Sequence, residues 1–311
     1  VLEGFEGDYL IKVTNNSQTT NDFKRYFTIR DIVLGHDGDN TLASISGMFI
    51  QQIQFLNLDN IMIRGFKKKG LVLRDVFDSM TNNVRILNCG DLLNENPSNE
   101  DYALTLQGEM DNVNATHFYG LQIERCPLML KIQSKIRHCQ FTDCKFEQSA
   151  PNYTNLSTIF VDGRSGENTF TNCQFVKNSI QGNNENQYFV ETSTATSYSE
   201  SAQFFVLFNG CMFTCAPSAR NTGHWLNTDG ATIMNSEFNH CGGNEKGLYS
   251  FRLVANNIFK NNRVYVTSWN TNTFIIKGEG NLIKDNMISY VAGDDVNAGF
   301  FLTMDQRYNN N

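Results

Sequence analysis

A six-residue phrase recurs about ten times along this chain, reading apolar, any, Asn/Asp/Gly, small or apolar, any, apolar. Three copies are nearly alike: Phe141-Thr142-Asp143-Cys144-Lys145-Phe146, Phe170-Thr171-Asn172-Cys173-Gln174-Phe175 and Phe208-Asn209-Gly210-Cys211-Met212-Phe213. Looser copies end at Leu34, Ile63, Ile86, Ile123, Phe238, Val264 and Ile288, so successive ends lie 29, 23, 37, 23, 29, 38, 25, 26 and 24 residues apart. A period in this range is the signature of a solenoid. A unit this short cannot bury its own apolar side, and stacking the units makes a continuous core.

The third letter of the phrase is Asp31, Asn60, Asn83, Gly120, Asp143, Asn172, Gly210, Asn235, Asn261 and Asp285. These residue types tolerate a left-handed backbone, so a sharp corner between two short strands is expected at each. The flanking letters alternate apolar and polar, as a strand with one buried face does. A further strand precedes the phrase in each turn, for example Gly70–Asp75, Ala103–Gly108, Ile159–Gly163, His224–Gly230 and Phe274–Gly278. Two or three strands per turn predict an all-β fold, a right-handed parallel β-helix of about ten turns. At about 4.8 Å per rung it forms a rod roughly 45–50 Å long. A propeller would need about 40–45 residues per blade, and a leucine-rich repeat its own Leu/Asn signature. Residues 1–25 are expected to form an entry segment containing a strand at Leu10–Val13, residues 26–290 the β-helix, and residues 291–311 a strand at Gly299–Leu302 and a tail. The chain opens at Val1 without a starting Met and reads as a piece of a longer protein.

With 311 residues the chain could hold two domains by length, but the repeat favours one elongated domain. Its net charge of −7 argues against a nucleic-acid groove, which needs clustered Lys and Arg. Lys67-Lys68-Lys69, the one basic run, reads as a solvated turn. No window approaches the roughly 20 apolar residues of a spanning helix, so no membrane insertion is expected. Of the eight cysteines, Cys144, Cys173 and Cys211 share the slot after the corner that other turns fill with Ile32, Ile61, Val84, Leu121 and Ser236. They are expected to be stacked, reduced thiols acting as small core residues, consistent with folding in a cytosol. Cys139-x4-Cys144 and Cys211-x3-Cys215 lack clustered His partners, so no metal and no cofactor is expected.

The chemistry must lie on outward columns. Glu124 and Glu147 follow the phrase on adjacent turns and should stand about 5 Å apart. Like charges that close raise one pKa, which keeps a carboxylic acid protonated beside an ionised partner. A surface charge ladder with Arg125 and Lys145 explains the pair equally well. Tyr119, Gln122 and Lys145 are placed on the same face, with Arg64, Arg85 and His117 as further candidate sugar contacts. Glu109, Asp162 and Asp229, at strand ends, form a second candidate catalytic set; Asp162 and Asp229 each precede a Gly. Trp225 is a candidate for stacking on a sugar ring or for the core. A lyase would instead need a base such as Tyr119, His117 or Lys145 beside a uronate carboxylate neutralised by Arg. Two long turns carry an acidic stretch, Asp91–Asp111, and an Asn/Ser/Thr/Tyr-rich one, Lys177–Gln203, both leaving from one side, which marks a binding face.

The stretches Asn60–Phe66, Gly70–Leu73, Asn83–Ile86, His117–Glu124 and Glu167–Phe170 resemble bacteriophage tailspike proteins built on a pectate-lyase-like β-helix, and the likeness spans residues 26–290. The resemblance implies a homotrimer on a phage tail, attached to other virion tail proteins through regions this chain lacks. It implies folding in the host cytoplasm, then binding and depolymerisation of capsule, exopolysaccharide or O-antigen outside the cell. Hydrolysis by carboxylates on neighbouring turns or across subunits is the first expectation; a lyase, a non-catalytic adhesin and a bacterial polysaccharide enzyme outside any virion are the alternatives.

Overall fold

The structure, a computed structural model, describes residues 8–15, 24–35, 45–90, 101–149, 156–162, 165–178, 188–193, 206–215, 224–241, 249–266, 273–290 and 302–304. Among these there is no helix, and the strands pair in parallel from one turn to the next. The last letters of the phrase form one unbroken ladder: Leu34, Ile63, Ile86, Ile123, Phe146, Phe175, Phe213, Phe238, Val264 and Ile288 are register partners in succession. The chain is a parallel β-helix. All ten third letters have positive φ, from 50° at Asn83 to 66° at Gly210. Their side chains also bond along the edge: Asn83 Nδ2 donates to Asn60 Oδ1 (3.0 Å) and Asn60 Nδ2 to Asp31 Oδ1 (2.8 Å).

The core is a pair of aromatic stacks. Phe118, Phe141, Phe170 and Phe208 lie 4.5, 4.6 and 4.9 Å apart ring to ring. Phe146, Phe175, Phe213 and Phe238 follow at 5.2, 4.4 and 4.4 Å. Each buried ring contributes about 1.5–3 kcal/mol from burial, and each pair about 0.5–1.5 kcal/mol more. The eight cysteines are all buried and free. In the predicted column, the thiols of Cys144, Cys173 and Cys211 donate to the carbonyls of Phe118, Phe141 and Phe170 at 3.3–3.4 Å. Farther along, Asn takes over this column: Asn262 Oδ1 accepts the Ser236 N–H (2.9 Å), and Asn286 Oδ1 the Asn262 N–H (2.8 Å).

The strand upstream of each phrase forms a leading sheet. Its inward column runs Ile11, Met48, Leu71, Leu104, Leu130, Ile159, Val190, Leu226, Phe251 and Phe274. The first strand, Tyr9–Thr14, already pairs with the long strand Ser46–Arg64. The terminal strand lies at Leu302–Met304; residues 299–301 of the expected strand fall outside the described residues. Much of the expected loop Lys177–Gln203 is also undescribed, but within it Val190–Thr192 is a rung of the leading sheet. A second row of corners carries only a partial Asn/Asp/Gly signature: Tyr26, Phe55, Ala115, His138 and Glu167 take φ between 47° and 61° beside Asp78, Gly230, Asn256 and Gly280, which take φ between 46° and 73°.

Candidate functional site

Glu124 and Glu147 are register partners on adjacent turns, as their spacing predicts. Lys145 lies between them: its Nζ is 3.2 Å from Glu124 Oε1 and contacts Glu147 Oε2. Glu147 Oε1 also accepts from Ser149 Oγ (2.9 Å) and Asn178 Nδ2 (2.7 Å). Burial disfavours the Glu147 charge, but the bonds from Lys145, Ser149 and Asn178 outweigh it and hold the carboxyl below its ordinary range. The expectation of a raised carboxyl is thus reversed at Glu147, because an ammonium stands where like-charge repulsion would act. Lys145 is pushed up, chiefly by its bond to Glu147.

The candidate contacts divide between faces. Arg85, Gln122 and Lys145 occupy one outward column on successive turns, and Arg64, Leu87, Glu124 and Glu147 the next. His117 and Tyr119 precede the corner at Gly120, so both face out from the neighbouring sheet; Tyr119 therefore does not share the face of Gln122 and Lys145, contrary to expectation. Trp225 is fully buried, packed edge-on to Phe213 at 5.7 Å, and has no surface for a sugar. It falls just before the strand Leu226–Thr228, where the same column holds the buried Met129 and Phe189. Glu109 is exposed and paired with Arg74 (2.6 Å).

The leading sheet carries the other carboxylates. Its outward column runs Thr105, Lys131, Phe160, Glu191, Asn227 and Arg252. Thr105 is buried, whereas the residues from Lys131 onward reach the surface. Glu191, not singled out by the sequence, accepts from Ser157 Oγ (2.6 Å) on one oxygen and Asn227 Nδ2 (3.2 Å) on the other. The Lys131 ammonium lies 5.8 Å from the ring centroids of both Tyr102 and Phe160. Burial, and then the nearby Lys69 ammonium, lower its pKa against the opposing pull of Asp162. Asp162, half-buried, follows the strand Ile159–Val161; Asp229, nearly sealed, follows Leu226–Thr228. Asp162 and Asp229 end rungs two turns apart, so their backbones stand about 10 Å apart along the axis. This sheet face thus presents Lys131, Phe160 and Glu191 on successive rungs, with Asp162 and the nearly sealed Asp229 just past the ends of its strands. Among the described residues no group of His, Cys, Asp and Glu is arranged to hold a metal ion.

No family model matches the chain. Depolymerase 1, capsule KN3-specific, of Klebsiella phage KN3-1 is 24% identical over 266 residues, which cover 84% of this chain and 32% of that protein. The chain therefore spans about a third of the length of this relative. Among solved structures, ORF18 of Geobacillus virus E2 superposes with a TM-score of 0.53 at 17% identity, over 88% of this chain and 43% of its own. PfbA, a surface adhesin of Streptococcus pneumoniae, superposes with a TM-score of 0.50 at 10% identity, over 87% and 72%. The structural likenesses concern the fold. Fold and sequence together make this chain a parallel β-helix protein. Its homologue is a phage capsule depolymerase.

Proposed function

We propose that this chain is the β-helix of a phage tailspike that binds and depolymerises bacterial surface polysaccharide. The observation carrying this reading is the match, over 84% of the chain, to a protein named as a capsule-specific depolymerase. On this reading the spike is a homotrimer on the virion tail, acting at the host surface.

We assign cleavage to the leading-sheet face, by glycoside hydrolysis. A span of about 10 Å between the backbones of Asp162 and Asp229 leaves room for a sugar and a water, as in inverting enzymes, whose carboxyls stand about 6.5–9.5 Å apart. Asp162, reachable by water, suits the base; Asp229, nearly sealed, suits the acid. Glu124 and Glu147 remain a second set, favoured by their adjacent-turn register, which suits the 5–5.5 Å of a retaining pair. Arg64, Arg85, Gln122 and Lys145 would then be its sugar contacts.

The test is size-exclusion chromatography of purified capsular polysaccharides after incubation with the protein. Shortened chains are expected from the wild type, with a loss on the order of a hundredfold or more for Asp162→Asn and Asp229→Asn. No shortening at high protein, with binding retained, would leave an adhesin. A new ultraviolet band from an unsaturated uronate would show a lyase. Full activity in both Asp variants and loss in Glu124→Gln or Glu147→Gln would move the site to the second set.

A further inference from the structure

Asp75 is fully buried, with φ of 50°, and its carboxylate gathers three successive backbone amides from another turn. The N–H groups of Glu109 and Asp111 donate to Oδ1 at 2.9 and 3.1 Å, and that of Met110 to Oδ2 at 3.3 Å. Charge-assisted bonds of this kind are roughly twice as strong as neutral ones, so residues 109–111 are held as a firm wall. Opposite this wall stand residues 134–137, where Lys135 takes φ of 66° and its Nζ donates to the Glu109 carbonyl (3.3 Å). Between the two lies an open cleft of about 490 Å³ lined by Met110, Asp111, Asn112, Ser134, Lys135 and Arg137.

Two groups in this cleft lack partners among the described residues. The exposed Arg137 guanidinium has no carboxylate or carbonyl bonded to it, although the neighbouring His138 is paired with Glu167. Asn112 Oδ1 is buried and accepts no hydrogen bond. A guanidinium calls for a planar anion that it can bind with two parallel bonds. A buried carbonyl oxygen calls for a hydroxyl or N–H donor, since leaving it unpaired costs about 1–3 kcal/mol. A sugar unit bearing a carboxylate offers both groups a few ångströms apart. The cleft also adjoins the leading sheet. Gln133 directly precedes Ser134, and Asp162 stacks in the next turn, its N–H donating to the Ile132 carbonyl (2.8 Å). A chain lying along the axis would therefore pass from this cleft to Asp162 in about one 4.8 Å rung.

We infer that the cleft is a subsite for an acidic sugar, a uronate or another carboxylate-bearing unit, with Arg137 binding the carboxylate and Asn112 accepting a hydroxyl. The inference rests on the polysaccharide reading above and narrows it to acidic polymers. Affinity is measured with the Asp162→Asn protein, so that cleavage does not consume the ligand. The probes are a panel of glucuronate- and galacturonate-containing capsular polysaccharides, and the same polymers after chemical reduction of their carboxyl groups. At least one acidic polymer is expected to bind more tightly than its reduced form. Adding Arg137→Met should weaken the acidic form on the order of tenfold and leave the reduced form unchanged, with Arg137→Lys in between. Added salt should weaken the acidic form alone. The circular dichroism of each variant should match that of its parent. Equal binding of acidic and reduced forms, no binding of any acidic polymer, or indifference to Arg137 overturns the subsite. Arg137-dependent binding without any chain shortening by the wild type would sink the cleavage reading and leave the subsite standing. Shortening indifferent to Arg137 would do the reverse.

Discussion

Phe175 is the rung on which the packing argument can be tested most severely. Its side chain is fully buried, and its ring stacks on Phe146 at 5.2 Å and Phe213 at 4.4 Å. It also meets Phe170, Phe189 and Phe208 at 5.8–6.1 Å. Truncation of a buried Phe to Ala costs about 3–5 kcal/mol, and five ring contacts place Phe175→Ala at the upper end, about 5 kcal/mol. Domain stabilities are about 5–15 kcal/mol, so this one change removes between a third and all of that reserve. Because each turn touches only its neighbours, the loss is not shared along the rod and should open the adjacent rungs first. The assay is urea unfolding followed by far-ultraviolet circular dichroism and by tryptophan fluorescence in a Trp269→Phe background, so that Trp225, which lies against Phe213, reports the rung above. The fluorescence transition should move to lower urea at least as far as the dichroism. Phe175→Leu, which keeps most of the volume, should lose less than about 2 kcal/mol. A loss below about 0.5 kcal/mol for Phe175→Ala would refute the stacked rung, since that is the scale of an ordinary surface change.

Two other outcomes follow from the same geometry. Glu147 is held below its ordinary pKa of 4.5, so its pairing stabilises above that value and fades as pH falls through the lowered one. Lys145 is held above 10.5, so its share is present below that value and is lost as pH rises beyond it. The stability gap between wild type and Lys145→Met, measured by urea unfolding across pH, should therefore be widest between these limits and narrow outside them; a gap that grows in acid would contradict the ion pair. For the thiols, burial pushes Cys139 and Cys215 up to about 12. A disulfide reagent near neutral pH should label none of the eight cysteines in the folded protein and all of them in guanidinium; rapid labelling of the native state would contradict the buried column.

The ten corners were legible because only a few residue types take a left-handed backbone without strain, and the phrase displays them at a fixed place. Once those corners are set, the ladder from Leu34 to Ile288 follows by counting. The second row was legible only in part. Asp78, Gly230, Asn256 and Gly280 are types that take a left-handed backbone, but Tyr26, Phe55, Ala115 and Glu167 carry no local preference for positive φ, and pairing on both flanks imposes it. Glu191 was missed for a related reason: its strand, Val190–Thr192, is three residues long and lies inside a polar stretch that reads as loop. The Glu124 and Glu147 register came out of the repeat, but the sign of the Glu147 shift did not. It depends on where the long Lys145 side chain bends, which spacing does not specify.

The second row of bends separates two kinds of change during descent. A ring pair such as Tyr26 and Phe55, stacked 5.0 Å apart, and an acid–imidazole pair such as Glu167 and His138 sit on the same backbone path. Their identities can drift while the inward letters stay put. One edge of the rod can thus be rewritten without renegotiating the interior.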